Sequence, residues 1–303
     1  MLADAERQVH RDYVRNVLAE PEPGALQELV ARQQQIRIKC ATVLPSPRFA
    51  PRAGMDGPYA VGLSAQELEQ YGVRVVGGAV RDRLLSSTHS PDLDCVVAAE
   101  HWDAFLDHAQ RAGYRPRVVP RAMACKLQAG PATGREFVAT RSDCYAAAGR
   151  LLHAVAAPLT ADPWRRDFTL QALYADPGSG DLWDPFGACE RRQLELILPG
   201  ALVEDPLRVL RLVRAQLTHD LPVEPDTEHE ARAVARCTTL CATLESFRVQ
   251  AELDRAARAG VLGPMLRTLE QWGWPGMRAA DPAHDRLRMR SATQWMRRAS
   301  LAL

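Results

Sequence analysis

The amino-acid sequence predicts an α+β fold in which a mixed α/β unit is followed by an all-helical one. Short apolar runs bounded by glycine and proline predict strands between residues 73 and 183. Apolar residues at helical spacing continue from Asp205 onward. We therefore predict a helical N-terminal extension with a linker at residues 1–64, a mixed head at 65–200 and a helical region at 201–303.

The composition is that of a globular protein. Of the 303 residues, 47% are hydrophobic and 25% are charged, and no apolar run approaches the roughly 18 residues of a membrane span. Residues 1–20 lack the features of a signal or transit peptide, so we expect a cytoplasmic protein with no membrane partner. The seven cysteines form no Cys-x-x-Cys pair, which predicts reduced thiols and argues against a disulfide framework or a zinc ribbon.

The charge of the chain gives only a weak indication of its partner. A formal net charge of +1 by itself predicts no polyanion partner. Lysine occurs only at Lys39 and Lys126, however, and the other strongly basic side chains are arginine, which binds phosphate through two parallel hydrogen bonds and stacks on bases. A GC-rich genome that encodes arginine in place of lysine explains the same bias.

The N-terminal extension is predicted to contain two helices. Apolar residues recur at helical spacing in residues 1–45, and the pattern is broken at Pro21 and Pro23. Residues 45–63 are rich in proline and glycine, which predicts a linker or an extended strap.

A strand, a glycine turn and a helix begin the predicted head. Residues 73–76 predict a strand that follows a short helix at 64–71. Gly77 and Gly78 predict the turn, and the helix starts at Ala79. Glycines at this position let the backbone approach a ligand closely, and the N-terminus of a helix attracts phosphate.

Two carboxylates lie at the start of the next predicted strand, which continues through residues 95–98. Asp92 and Asp94 are two residues apart, so their side chains point to the same face of the strand. Two carboxylates beside a phosphate-binding turn can hold Mg²⁺, so the combination suggests phosphoryl transfer. Each feature alone has a simpler explanation, because the glycines also suit any tight turn and Asp92 also suits a surface cap.

The remaining elements are less clearly marked. We predict a strand at residues 136–139, a turn-rich stretch up to 163, a strand or a helix at 165–175 and a strand at 181–183. The helical region has predicted breaks at Pro222, Pro225, 260–264 and Pro275.

Five short motifs, in this order, resemble the class II tRNA nucleotidyltransferase and bacterial poly(A) polymerase family. They are GGAVRD at 77–82, DLD at 92–94, RRDFTLQAL at 165–173, DPFG at 184–187 and EDPLRVLRLVR at 204–214. The resemblance covers about residues 73–215. It implies a head of the DNA polymerase β nucleotidyltransferase type, followed by a helical neck and a shortened body.

The resemblance also implies roles for individual residues. Asp92 and Asp94 would bind two Mg²⁺ ions, and Glu136 would supply a third catalytic carboxylate. The implied nucleotide-binding residues are Gly77, Gly78, Arg81, Arg166, Asp167, Asp205, Arg208, Arg211 and Arg214. Two metal ions would activate an RNA 3′-hydroxyl, neutralise the α-phosphate and stabilise the departing pyrophosphate.

The EDPLR motif is expected to read the base. In the family, the residues equivalent to Asp205 and Arg208 form a template for C and A, whereas U and G present the opposite polarity and leave buried groups unpaired. The alternative for Asp205 is a helix cap, because Pro206 suits the first helical position. The arginines at 208, 211 and 214 need an anion nearby, and a triphosphate is the natural candidate.

The sequence also departs from the family pattern. Gln171 stands where the family usually has asparagine, and Ala215 with Gln216 replaces the usual aromatic residue. The region after Arg214 is shorter than the usual neck, body and tail, so we expect the body to be abbreviated, replaced by the N-terminal extension or supplied by a second subunit. Basic residues between 286 and 298 indicate either an RNA contact or a solvated helix face.

These observations predict an enzyme that adds CMP or AMP from CTP or ATP to an RNA 3′ end. The expected primer is tRNA, with addition of CCA, CC or A. The alternatives are a poly(A) polymerase that acts on RNA in general, and a catalytically silent RNA-binding or assembly protein with the same fold.

Overall fold

The structure is a computed structural model, and it describes residues 4–42, 44–55, 57–85, 93–147 and 150–275. Asp92 and the basic residues between 286 and 298 lie outside the described residues. Within the described part, no helix has both the length and the apolar character needed to span a membrane.

The head is built on a seven-stranded mixed sheet. Its strands in chain order are β1 (Arg74–Val76), β2 (Asp94–Val97), β3 (Pro116–Val119), β4 (Ala124–Leu127), β5 (Glu136–Ala139), β8 (Tyr174–Ala175) and β9 (Leu182–Trp183), while β6 (Arg141–Ala147) and β7 (Arg150–Ala156) form a separate hairpin. Across the sheet the order is β3-β4-β5-β2-β1-β8-β9. Only the β2–β5 pair is parallel among the strand pairs of the described sheet.

Three helices accompany these strands. They are α3 (Ala65–Gln70), α4 (Gly78–Leu85) and α5 (Trp102–Arg111). The first begins with a capping box, in which the Ser64 hydroxyl accepts from the Glu67 N–H and the Glu67 carboxylate accepts from the Ser64 N–H. Helix α5 packs on the sheet through Phe105, whose ring centroid is 5.0 Å from that of Phe137. Helix α5 therefore covers the face of the sheet opposite to the one that carries the exposed Asp94.

The prediction of a turn-rich stretch up to residue 163 is wrong, because β6 and β7 occupy most of it. This hairpin lacks the apolar alternation that marks a half-buried strand. Arg141 and Asp143 of β6 are both buried and pair with each other at 2.7 Å, so charged residues occupy positions where apolar ones were expected. The sequence also gave no prediction for β3, β4 or α5.

The other predicted elements are confirmed. The strands at 73–76, 95–98, 136–139 and 181–183 correspond to β1, β2, β5 and β9. The ambiguous stretch at 165–175 consists of short 3₁₀ turns followed by β8.

A short helix, α6 (Ala188–Arg191), ends the head. In the described residues, the helical region contains α7 (Ala201–Glu204), α8 (Leu207–His219), α9 (Pro225–Arg236), α10 (Thr238–Cys241), α11 (Ser246–Arg258) and α12 (Leu262–Trp272). The predicted break at Pro222 lies between α8 and α9. Pro225 begins α9 and Pro264 lies in the first turn of α12, where the missing proline N–H leaves no helical hydrogen bond unmade.

The N-terminal extension packs into the main body of the protein. Its two helices, α1 (Asp4–Ala19) and α2 (Pro23–Ala41), are separated at the predicted proline break. Leu26, Leu29 and Val30 of α2 belong to the same apolar core cluster as residues of the head and of the helical region. The segment boundaries predicted at residues 64 and 200 therefore do not divide the apolar core.

Replacing Leu29 with alanine is expected to destabilise the whole fold. Leu29 is fully buried, so Leu29→Ala should lower the free energy of unfolding by about 2–5 kcal/mol. Ile38 lies on the same helix and is 62% exposed, so Ile38→Ala should change it by less than about 0.5 kcal/mol. Urea unfolding of both variants measures the difference, and an equal effect would show that the extension is not part of the core.

Candidate active site

A glycine turn joins β1 to α4 at the edge of the candidate site. Gly77 has a φ of +77°, a conformation that favours glycine. A Cβ placed on Gly77 would lie 3.8 Å from Nη1 of Arg166, and one placed on Gly78 would lie 3.6 Å from Nη2 of Arg81. The N-terminus of α4 and two guanidinium groups thus surround this turn, and all of them attract an anion.

Two carboxylates lie beside the same turn. Asp94 begins β2 and pairs across the antiparallel ladder with Val76, the residue before Gly77. On its other side Asp94 is in parallel register with Glu136 of β5. Side chains directly opposite each other on neighbouring strands share a face, so both carboxyl groups lie on one face of the sheet.

The charges of these two residues influence each other. The pKa of Glu136 is raised by loss of solvent and then by the negative charge of Asp94, and Lys126 on β4 partly opposes this shift. Hard oxygen ligands with mutual repulsion suit a divalent cation, which would relieve the repulsion. The described residues contain no group of three potential metal-ligating side chains. Asp92, the second predicted ligand, lies outside the described residues.

A buried aspartate that the sequence analysis missed holds Arg166 against the glycine turn. Asp162 accepts hydrogen bonds from Arg165 Nε at 2.8 Å, Arg166 Nη2 at 2.8 Å and the Tyr174 hydroxyl at 2.5 Å. Burial raises the pKa of Asp162, but the two arginines outweigh that effect and hold the pKa below its ordinary value. The charged Asp162 therefore fixes the direction of Arg166. Its position four residues before Arg166 is the only signal that the sequence offers.

The predicted nucleotide residues Asp167 and Arg211 contact each other. Arg211 Nε lies 3.1 Å from the Asp167 carboxylate. Burial raises the pKa of Asp167, but Arg211 and Arg208 outweigh it, so the net shift is downward. Arg214 in turn lies 2.9 Å from Glu252 of α11. A carboxylate of the protein thus lies beside Arg211 and Arg214, two of the three α8 arginines that were expected to bind a triphosphate.

Asp205 contacts the first residue of α8 and also forms an ion pair. Its Oδ1 accepts from the Leu207 N–H at 3.3 Å, and its Oδ2 lies 2.6 Å from Arg248 Nη2 of α11. Helix α8 begins at Leu207, one residue later than predicted, with Pro206 directly before it. One carboxylate oxygen of Asp205 therefore accepts from an N–H at the start of α8, in line with the helix-cap alternative, and the other oxygen is used by Arg248.

Arg208 is 4% exposed and is held on several sides. Its Nη1 donates to the Ala201 carbonyl at 3.0 Å and lies 3.6 Å from Glu204. Its Nη2 donates to the Arg165 carbonyl at 2.8 Å and to the Tyr145 hydroxyl at 3.4 Å. These contacts place the guanidinium between the helical region and the head.

The segment from Asp162 to Asp167 connects the two halves of the site. Its Arg166 lies against the glycine turn, while its Arg165 carbonyl and its Asp167 carboxylate contact Arg208 and Arg211 of α8. The structure therefore brings the carboxylate half and the α8 half together through this one segment. The missed residues Arg248 and Tyr145 are long-range partners of the predicted Asp205 and Arg208.

His219 at the end of α8 reaches the helix that follows the glycine turn. Its Nε2 lies 3.3 Å from Asp82, which also accepts from Arg81 Nε at 2.8 Å. The pKa of His219 is lowered to about 4 by burial and then by the positive charge of Arg81, an effect that Asp82 only partly opposes. His219 is thus neutral near pH 7 and lies next to the Asp82–Arg81 pair.

The head of this chain is similar to a known protein family. Residues 73–195 match the poly A polymerase head domain. The multifunctional CCA protein of Stenotrophomonas maltophilia (strain R551-3) is 36% identical over 208 residues, which are 65% of this chain and 48% of that protein. The multifunctional CCA protein of Xanthomonas campestris pv. campestris (strain B100) is 34% identical over 225 residues, or 71% of this chain and 52% of that protein. The chain spans about half the length of these relatives.

Solved structures share the fold. A tRNA-processing enzyme in an apo form has a TM-score of 0.56 and 25% identity over 72% of this chain and 59% of that one. A tRNA nucleotidyltransferase complexed with a primer tRNA and an incoming ATP analogue has a TM-score of 0.55 and 25% identity over 68% of this chain and 59% of that one. These similarities confirm the predicted head fold and its helical continuation.

Acidification is expected to destabilise the protein through His219. The folded pKa of about 4 lies below the ordinary value of 6.5, so the unfolded chain takes up the proton first as the pH falls. The stabilisation is therefore present above pH 6.5 and is lost as the pH falls toward 4. Between pH 7 and pH 5, the free energy of unfolding of His219→Gln should fall by about 1–2 kcal/mol less than that of the wild type, as measured by urea unfolding.

The matched control for this measurement is the exposed His101. His101→Gln should retain the wild-type loss of stability. A His219→Gln variant that loses as much stability as the wild type would contradict the lowered pKa.

Proposed function

We propose that the chain transfers CMP or AMP from CTP or ATP to an RNA 3′ end, with release of pyrophosphate, because residues 73–195 match the poly A polymerase head domain. The observation that carries the proposal is the register of Asp94 and Glu136 on one face of the sheet, directly beside the Gly77 turn. We propose tRNA as the primer, since the relatives are named CCA proteins and one structural neighbour holds a primer tRNA.

The carboxylate half of the site suits the transfer step. Asp94, with Asp92, would hold divalent cations, and we propose two Mg²⁺ ions because Mg²⁺ prefers carboxylate oxygens. Bound there, Mg²⁺ supplies neutralisation of the α-phosphate and a lower pKa for the attacking 3′-hydroxyl. Glu136 adds negative charge next to Asp94. The Gly77 turn, Arg81 and Arg166 orient the triphosphate by hydrogen bonding.

The α8 half of the site suits selection of the base. The Asp205 carboxylate accepts a hydrogen bond from the exocyclic amine of C or A, and Arg208 donates to the neighbouring ring nitrogen. U and G present a carbonyl where the amine stands, so that carbonyl would face the Asp205 carboxylate without a hydrogen bond. To bind the base, the Asp205 carboxylate releases Arg248 and accepts from the base instead.

Incorporation assays test the proposal directly. The full chain is incubated with Mg²⁺, each of the four NTPs in turn, and either tRNA that lacks its 3′ CCA or a generic RNA oligomer. Addition of C or A to the tRNA supports the proposal. Long A tails on both RNAs would identify a poly(A) polymerase, and no incorporation with either RNA would identify a catalytically silent RNA-binding or assembly protein.

Replacing Asp94 with alanine is expected to abolish transfer without unfolding the protein. The variant loses a charged group that acts on the reacting phosphate, so Asp94→Ala should reduce the rate of incorporation by at least about a hundredfold. Asp103 is exposed on α5, and Asp103→Ala is the control that should retain the wild-type rate. Near wild-type incorporation by Asp94→Ala would show that Asp94 does not hold the metal.

Replacing Asp205 with alanine is expected to weaken base selection more than nucleotide binding. The wild type should favour C and A over U and G by about ten- to a hundredfold in kcat/KM, because each unpaired buried group costs about 1–3 kcal/mol. Asp205→Ala should bring the four NTPs closer together, whereas the phosphate contacts remain. Measurement of kcat/KM for each NTP checks this result.

The control for this prediction separates base selection from helix capping. Glu224 caps α9 by accepting from the Thr227 N–H at 2.7 Å. Glu224→Ala should lower the stability by about 1 kcal/mol and leave the selectivity unchanged. If Asp205→Ala lost stability and kept its selectivity, Asp205 would be only a cap.

A further inference from the structure

A buried arginine of the N-terminal extension enters the base-selection half of the site. Arg37 of α2 is 2% exposed. Its Nε donates to the Trp164 carbonyl at 3.0 Å, its Nη1 donates to the Asp143 carbonyl at 3.3 Å and its Nη2 forms an ion pair with Glu204. All three nitrogens of this guanidinium are therefore used, on three separate segments of the chain.

Arg208 is held by the same three segments. It contacts the Glu204 carboxylate, the Arg165 carbonyl and the Tyr145 hydroxyl. Arg37 binds the same Glu204 carboxylate. It also binds the carbonyl of Trp164, which precedes Arg165, and the carbonyl of Asp143, which lies two residues before Tyr145 on β6. The Arg37 guanidinium carbon also lies 5.9 Å from the centroid of the Tyr145 ring.

The shared carboxylate makes the two arginines interdependent. Glu204 is fully buried, and its Oε2 is the atom that faces both Arg37 and Arg208. Loss of one cation from a buried charge cluster leaves the remaining charges poorly compensated. Without Arg37, Glu204 would be balanced by Arg208 alone and would draw that guanidinium away from its two contacts with the head.

We infer that Arg37 is a positioning residue for Arg208, so that the N-terminal extension forms part of the site that selects the base. This inference rests on the proposed function for the meaning of Arg208. Residues 1–64 lie outside the part of the chain that matches the head-domain family, which begins at residue 73. The extension thus adds to the head a support that acts on specificity.

Three variants of the full chain test the inference. Arg37→Met removes the cation and keeps an unbranched side chain. Arg37→Lys keeps the charge for Glu204 but cannot also reach both carbonyls. Arg7→Met is the control, because Arg7 also joins the extension to the main body, through the Leu196 carbonyl at 3.0 Å, but does not contact Glu204 or Arg208.

The readout is the ratio of kcat/KM for CTP and ATP to that for UTP and GTP. We expect Arg37→Met to lower this ratio about tenfold, a typical coupling between residues of one salt-bridge network. Arg37→Lys should give an intermediate ratio, and Arg7→Met should keep the wild-type ratio. If Arg37→Met slows all four NTPs equally and the ratio is unchanged, Arg37 has only a structural role and the inference is wrong.

Two further measurements keep the result decisive. Thermal unfolding identifies a variant that does not fold. If Arg37→Met fails to fold, Arg37→Lys decides, because a ratio below the wild-type value supports the inference and a wild-type ratio overturns it.

Equilibrium binding of the four NTPs without RNA separates this inference from the proposed function. A wild type that binds C and A selectively but transfers nothing refutes the proposed activity, and the variants are then compared by binding alone.

Discussion

The carboxylate of Glu204 is shared by two arginines, one from the N-terminal extension and one from α8, and the geometry of the site depends on this buried cluster. Replacing a buried ion pair by apolar residues of similar volume is often neutral or stabilising, whereas removing one partner costs about 3–5 kcal/mol. The cluster is therefore a poor source of stability. Its effect is to fix the mutual position of Arg37, Arg208 and the chain segments whose carbonyls they bind.

That position is transmitted to the glycine turn by the segment from Asp162 to Asp167. The carbonyls of Trp164 and Arg165 bind the two arginines of the cluster, while the side chain of Arg166 lies against Gly77. Asp162 fixes Arg166 through charge-assisted hydrogen bonds in a buried setting, where such bonds are strong. A shift of Arg208 would thus also move the glycine turn's neighbour Arg166, because Arg208 binds the carbonyl of Arg165, the residue directly before Arg166.

The sequence predicted the parts of the site that depend on local pattern. Residues around Gly77, Asp94 and Glu136 lie on short strands or turns whose composition marks them, and the strand containing Glu136 was found at its correct limits. The partners Arg37 and Arg248 were not predicted, because each is far along the chain from the residue that it contacts. Spacing along one chain gives no indication of such pairs.

The missed hairpin of β6 and β7 has a related cause. Its inward-facing Arg141 and Asp143 neutralise each other, and Arg37 of helix α2 donates to the carbonyl of Asp143. Apolar periodicity detects strands whose buried face is apolar, and it fails where the buried face is charged and balanced by distant groups. The structure thus departs from the simple pattern at the place where the α8 half of the candidate site is assembled.

Charge balance in the site bears on how a nucleotide would enter it under the proposed function. Within the described part of the chain, Arg81, Arg211 and Arg248 each lie against a carboxylate, Asp82, Asp167 and Asp205 respectively. Paired arginines orient phosphates by hydrogen bonding but supply little uncompensated positive charge. The triphosphate and the carboxylates of Asp94 and Glu136 together add further negative charge to one small region. Divalent cations would offset this added negative charge, so the nucleotide should enter as its metal complex, and the paired arginines should set its direction more than its affinity.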